Sequence, residues 1–193
     1  MKLKINDLLS LEEYDSKRDI IKDELIKHKR NRTISIGENI VLIFEDYKTI
    51  QYQVQEMLRI EKIFNQKEIQ EEIDAYNPLI PDGTNFKATM LIMYPDIAER
   101  RIMLNKLHDI ENQIWIALDD TKIFAIADED LERSTDDKTS AVHFLRFELD
   151  NDSIEKFLSL DKIVLGVNHP EYEAETTLDS NVKDSLTKDL NRC

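Results

Sequence analysis

The chain holds one cysteine, Cys193, together with three glycines, four prolines and one tryptophan among its 193 residues. A lone thiol cannot close an internal disulfide, and an iron–sulfur cluster usually takes four thiolates, so a reduced, cytoplasmic setting is expected. The glycines Gly37, Gly83 and Gly166 stand far apart, which removes the glycine-rich phosphate cradles of P-loop and dinucleotide enzymes. No stretch approaches the roughly 18 consecutive apolar residues of a spanning helix. The opening Met1-Lys2-Leu3-Lys4-Ile5-Asn6 is too polar for a secretory signal. Positive charge is also scarce: 26 Lys and Arg face 40 Asp and Glu, a net charge of −14. Nucleic acid and membrane insertion are therefore not expected, because binding to phosphate or anionic lipid depends on cationic side chains.

What remains is enough for a core. The hydrophobic fraction is 41% and the charged fraction 34%, unlike a disordered acidic chain. The length suits one domain. Ser10 stands three residues before Glu13 with capping-box spacing, ahead of a helix carrying Leu11, Tyr14, Ile21 and Leu25. That helix ends in the basic run Lys27-His28-Lys29-Arg30-Asn31-Arg32, read as a solvated terminus that complements the helix dipole. Strand signals follow at Ile34 and Ile36, over the wholly apolar residues 40–44, and at Ile50, Tyr52 and Val54, which alternate with polar neighbours. Helices are expected over residues 55–64 and 67–76, then a breaker segment from Asn77 to Gly83. A strand over 86–93 leads to a helix with an apolar stripe of Ile97, Met103, Leu104, Leu107 and Ile110. A hairpin turning at Asp119-Asp120, an acidic loop over 128–138, a strand over 141–149, a short helix to Leu160 and a buried strand over 163–167 complete the reading. The expectation is an α+β fold with a largely antiparallel sheet and packed helices, one domain over residues 1–170, and a peripheral tail over 171–193.

Few residues suggest chemistry. On a helical wheel Glu56 falls inside the apolar arc of Met57, Ile60, Ile63 and Phe64. A carboxylate there needs a partner or its pKa rises. Arg59, one turn on, can supply that partner, and a structural pair is one reading. A general base or metal ligand is the other. His143 shares a strand face with Ala141, Leu145 and Phe147, which favours a hydrogen-bonded core histidine over a ligand. Arg146 projects to the opposite face beside Phe144. His169 precedes Pro170 in an extended or turn conformation. His28 and His108 attract no role. Glu56, Arg59, His143, Arg146 and His169 are the candidate catalytic residues, and Glu56, His143 and His169 the candidate metal ligands. No motif names a cofactor, and the metal spacings His-Glu-x-x-His and Cys-x-x-Cys are missing.

Four phrases occur in order: Gln53-Val54-Gln55-Glu56-Met57-Leu58-Arg59-Ile60-Glu61-Lys62-Ile63-Phe64, Glu72-Ile73-Asp74-Ala75-Tyr76-Asn77-Pro78-Leu79-Ile80-Pro81-Asp82-Gly83, Val142-His143-Phe144-Leu145-Arg146-Phe147, and His169-Pro170-Glu171-Tyr172-Glu173-Ala174-Glu175-Thr176. Together they resemble the bacterial domain-of-unknown-function 3501 family, from Leu8 to about Leu178. Genes of that family often lie beside those for rubrerythrin and an iron–sulfur oxidoreductase. The resemblance therefore implies a non-catalytic accessory or binding protein of a redox or peroxide-handling system, with one of those proteins as partner. It carries over no catalytic residue. A small metal-binding protein or enzyme with a Glu/His/Arg site is the alternative, and a homo-oligomer built through a sheet edge is a third possibility.

Overall fold

A computed structural model describes residues 2–127 and 139–190. Two antiparallel sheets organise them. The first has the order β1 (Thr33–Ile36), β2 (Ile40–Glu45), β3 (Asn85–Ile92), β7 (Val142–Glu148), β6 (Ile126–Ala127). The second has the order β5 (Thr121–Phe124), β4 (Ile114–Leu118), β8 (Val164–His169), β9 (Tyr172–Thr177). Among the described residues six α-helices accompany them: α1 (Leu11–Arg30), α2 (Tyr47–Glu61), α3 (Gln66–Tyr76), α4 (Ile97–Lys106), α5 (Asn151–Ser159) and α6 (Ser180–Thr187). The fold is α+β, as expected from the sequence.

Alternation along the strands builds the core. Leu42, Phe44, Phe86, Met90, Leu145 and Phe147 of the first sheet join Ile114, Ile116, Leu118, Leu165 and Val167 of the second in one buried cluster. Each such side chain contributes about 1.5–3 kcal/mol by leaving water. Phe86 packs 4.9 Å from Phe157 of α5, centroid to centroid. The hairpin at Asp119-Asp120 forms as read, with β4 paired to β5. At the turn between β1 and β2, Gly37 has φ +66° and lies against the Tyr172 ring of β9. Tyr172 Oη donates to the Ile36 carbonyl at 2.8 Å and accepts from Asn39 N at 3.0 Å, so one phenol ties the two sheets together.

A smaller cluster, Leu3, Ile50, Val54, Leu58, Ile73 and Ile80, lies beneath the N-terminal helices. It corrects the strand expected at Ile50, Tyr52 and Val54. Asp46 accepts from Thr49 N while Thr49 Oγ1 accepts from Asp46 N, both at 2.9 Å, a reciprocal cap that starts α2 eight residues earlier than read. Ile50 and Val54 fit a period of two, but with Leu58 they also fit i, i+4, i+8, and the cap decides for the helix. The apolar arc shifts accordingly: Ile60 and Phe64, expected inside, are 60% and 68% exposed.

Three other expectations change. Ile97, placed on the apolar stripe, is 77% exposed, because α4 lies on the surface and leans inward through the half-buried Met103 and Leu104. Arg32, placed in a solvated run, is only 1% exposed. The segment after Glu171, expected as a peripheral tail, is built in: β9 pairs with β8 over six residues, and Val182, Leu186 and Leu190 join the main core. The acidic loop over 128–138 and Cys193 lie outside the described residues. No helix among the described residues is long and apolar enough to cross a membrane.

Candidate functional site

Glu56 sits on α2 where that helix packs along α1. Tyr14 and Arg18 occupy one turn of α1, and both reach it. Arg18 donates through Nε to Glu56 Oε1 at 2.7 Å and through Nη2 to Oε2 at 2.9 Å, a two-pronged contact. Tyr14 Oη donates to Oε1 at 2.6 Å. Arg59, the partner read from sequence, is present at 3.3–3.4 Å but is the longer contact. The Arg18 hydrogen bonds, reinforced by Tyr14 and Arg59 and opposed by partial burial, hold the Glu56 carboxyl down at about 2. Burial and the adjacent carboxylate push the Tyr14 phenol the other way. A carboxylate so stabilised is a weak base, so this geometry joins α1 to α2 rather than abstracting protons.

The histidines belong to other neighbourhoods. His143, 3% exposed, has Thr139 Oγ1 at 2.8 Å and the Ser140 carbonyl at 2.9 Å from Nε2, with Glu111 Oε2 at 3.9 Å. Thr139 also donates to Glu111 at 3.2 Å. This closed network suits the hydrogen-bonded core histidine anticipated from its strand face. His169 Nε2 lies 3.0 Å from the His108 carbonyl, and its Nδ1 accepts from Glu171 N at 3.1 Å. Arg146 pairs with Glu148 on the half-buried face of β7. Glu56 and Arg59 thus meet as read. The described partners of Glu56 and those of the two histidines have no member in common.

A polar concavity lies elsewhere, where the end of α1 meets α6. A cavity of about 270 Å³ is lined by His28, Arg32, Asp46, Asp184, Lys188 and Asp189, with Asn31, Asn181 and Ser185. His28 Nε2 lies 2.7 Å from Asp46 Oδ2. The buried Arg32 donates to the carbonyls of Phe44 and Glu45 at 2.8 and 3.0 Å and to Ser185 Oγ at 3.1 Å, pairs with Asp189, and comes within 3.6 Å of Asp46. Burial raises the Asp46 pKa, but the His28 hydrogen bond, the Arg32 charge and the Thr49 N–H outweigh it and bring it to about 2. Among the described residues no group of three or more His, Cys, Asp or Glu side chains is arranged to hold a metal ion.

With these sites in view, comparison with known proteins is decisive for kinship. The chain matches the family described as "Protein of unknown function (DUF3501)" over residues 2–190. The chain belongs to the DUF3501 family. It is also similar to a solved structure from Burkholderia pseudomallei K96243, described as a novel protein of unknown function, with 46% identity and a TM-score of 0.93 over 99% of this chain and all of that one. No curated protein matches it.

The four phrases that signalled the DUF3501 family place many of their polar side chains at joints. Gln55 exchanges hydrogen bonds with the backbone of Leu9 at 3.0 and 3.1 Å. Asn77 does the same with Leu3 at 2.8 and 3.2 Å. Asp82 accepts from Thr84 N at 3.0 Å and fixes the turn into β3. The cavity residues were missed because no local signal marks them. His28 and Arg32 read as part of a charge run, and Asp189 lies 157 positions from the arginine it meets.

Two carboxylates held near 2 make the fold acid-labile. Unfolded Asp and Glu titrate at about 3.9 and 4.3, so the stability from Glu56 and Asp46 is complete above those values and is lost as pH falls toward 2. The urea midpoint is expected to drop between about pH 5 and 2. Glu56→Gln should be less stable than the parent at pH 7 yet lose less on acidification. An unchanged pH slope in that variant would remove Glu56 as a source.

Proposed function

We propose that this DUF3501 protein is a non-catalytic accessory of a redox or peroxide-handling system, acting by binding a redox protein such as rubrerythrin or an iron–sulfur oxidoreductase. The observation that carries the reading is the Glu56 cluster. The carboxylate most suggestive of catalysis is held ionised by two guanidinium groups and a phenol, and so acts as a joint between helices. The net charge of −14 supports a basic partner face. Charge complementarity of this kind chiefly raises association rate and specificity. The family's gene neighbourhood points to the class of partner.

The test is calorimetric titration of the protein with purified rubrerythrin and with the iron–sulfur oxidoreductase of the same cell, at low and at near-physiological salt. A micromolar complex with one of them is expected, weakened about tenfold by the added salt as screening shortens. Absence of binding to both at low salt overturns the reading.

A further inference from the structure

We propose that the groove between the N-terminal segment, the end of α2 and the start of α3 is a docking site for a lysine- or arginine-bearing amphipathic helix of a partner protein. This surface deepens the accessory reading and rests on it for the partner's redox identity, but not for its chemistry. The groove encloses about 300 Å³ and its wall is mostly apolar: Ile5, Leu8, Leu11, Leu58, Phe64 and Ile69 are among its lining residues. That volume is at the bottom of the range of ligand pockets, so it suits side-chain anchors better than a cofactor. Phe64 is 68% exposed at its lip, and Ile60 nearby in sequence is 60% exposed.

The rim supplies the sign of the partner. Glu12 lines the groove itself. Glu61 and Glu72 stand one helical turn beyond the lining residues Leu58 and Ile69, hence on the same sides of α2 and α3. They are close enough that Glu61 adds to burial in raising the Glu72 pKa. From residue 61 to 76 the chain carries Glu61, Glu68, Glu71, Glu72 and Asp74 against Lys62 and Lys67, and Lys67 lies 3.6 Å from Glu71. Like charges held together beside an apolar groove are relieved by cations on the incoming surface. A second copy of this acidic chain would add negative charge. A helix with an apolar stripe and basic flanks satisfies both features, with its apolar side chains in the groove and its cations over the carboxylates.

The probe is a fluorescent helix-forming peptide of leucine and lysine, about 14 residues long with leucines at i, i+3, i+4 and i+7, titrated by anisotropy at low salt. Phe64→Asp, and separately Glu61→Lys with Glu72→Lys, change exposed or half-exposed positions. Each is expected to weaken binding about tenfold, while Glu173→Lys with Glu175→Lys on β9, a matched change of charge, leaves it within about twofold. Equal weakening by the β9 variant, no effect of Phe64→Asp, or no binding of the peptide overturns the proposal. The same variants separate it from the accessory reading. A redox protein that binds the parent and Phe64→Asp alike overturns the groove and leaves the function standing. A peptide response as expected with neither redox protein binding overturns the function and leaves the groove.

Discussion

Arg32→Met is expected to lower the unfolding free energy by about 3–5 kcal/mol, the range for breaking a buried ion pair on one side. Arg32 is 1% exposed, and its guanidinium serves three parts of the chain: the Phe44 and Glu45 carbonyls at the end of β2, Asp46 at the cap of α2, and Ser185 and Asp189 at the C-terminal end. Methionine fills much of the volume but donates nothing. Two strand-end carbonyls and two carboxylates then lose this donor away from water, and their desolvation cost is no longer offset. Arg32→Lys should recover only part of the loss, since one ammonium cannot span the fork of contacts that a planar guanidinium makes. Asp189→Asn in the Arg32→Met background should cost less than it does alone, the mark of direct coupling. Urea unfolding measures all four variants. A loss below about 1 kcal/mol in Arg32→Met would place the site among exposed ion pairs and contradict its burial.

Gly166→Ala is expected to cost about 2–3 kcal/mol, the upper part of the range for overpacking by one methyl group. Gly166 on β8 stands directly opposite Trp115 on β4. A methyl there would lie 2.3 Å from Cζ2 of the indole and 2.7 Å from Cη2. The ring has little freedom to yield. It is 1% exposed, its Nε1–H donates to Asn168 Oδ1 at 3.1 Å, and the Lys122 ammonium sits 3.6 Å from the ring centre. Either the indole leaves its hydrogen bond or β4 and β8 separate. Trp115 is the only tryptophan, so its fluorescence reports the outcome directly: a shifted emission maximum together with a lower urea midpoint. In a Trp115→Ala background the same glycine substitution should be nearly neutral. A full penalty there would mean that the clash is not with the indole.

These two sites show where sequence reasoning reaches and where it stops. The α1 cap at Ser10, the apolar β2, the hairpin at Asp119-Asp120 and the inward face of His143 were legible, because each depends on residues within a few positions of one another. Glu56 was legible as an anomaly, but its principal partner was not. Arg59 stands three residues away and could be named from helical spacing. Arg18 is 38 residues away and makes the shorter contact. The misplaced strand at Ile50–Val54 has a local cause as well. Two apolar residues four apart satisfy both periods, and only the reciprocal cap between Asp46 and Thr49 breaks the tie.

The four phrases by themselves determined the family of this chain, while the deficit of cations, the lone cysteine and the scattered glycines set only expectations about its chemistry. Local pattern also determined most of its elements, since capping, alternation and turn formation act over short separations. Tertiary structure alone decided the rest. It turned an arginine in a charged run into the most buried cation described, drew the C-terminal segment into the core, and made Glu56 a joint between helices. The physical reason is the same in each case. Whether a charge is solvated or buried and paired depends on what distant segment covers it, and that is settled only when the chain has packed.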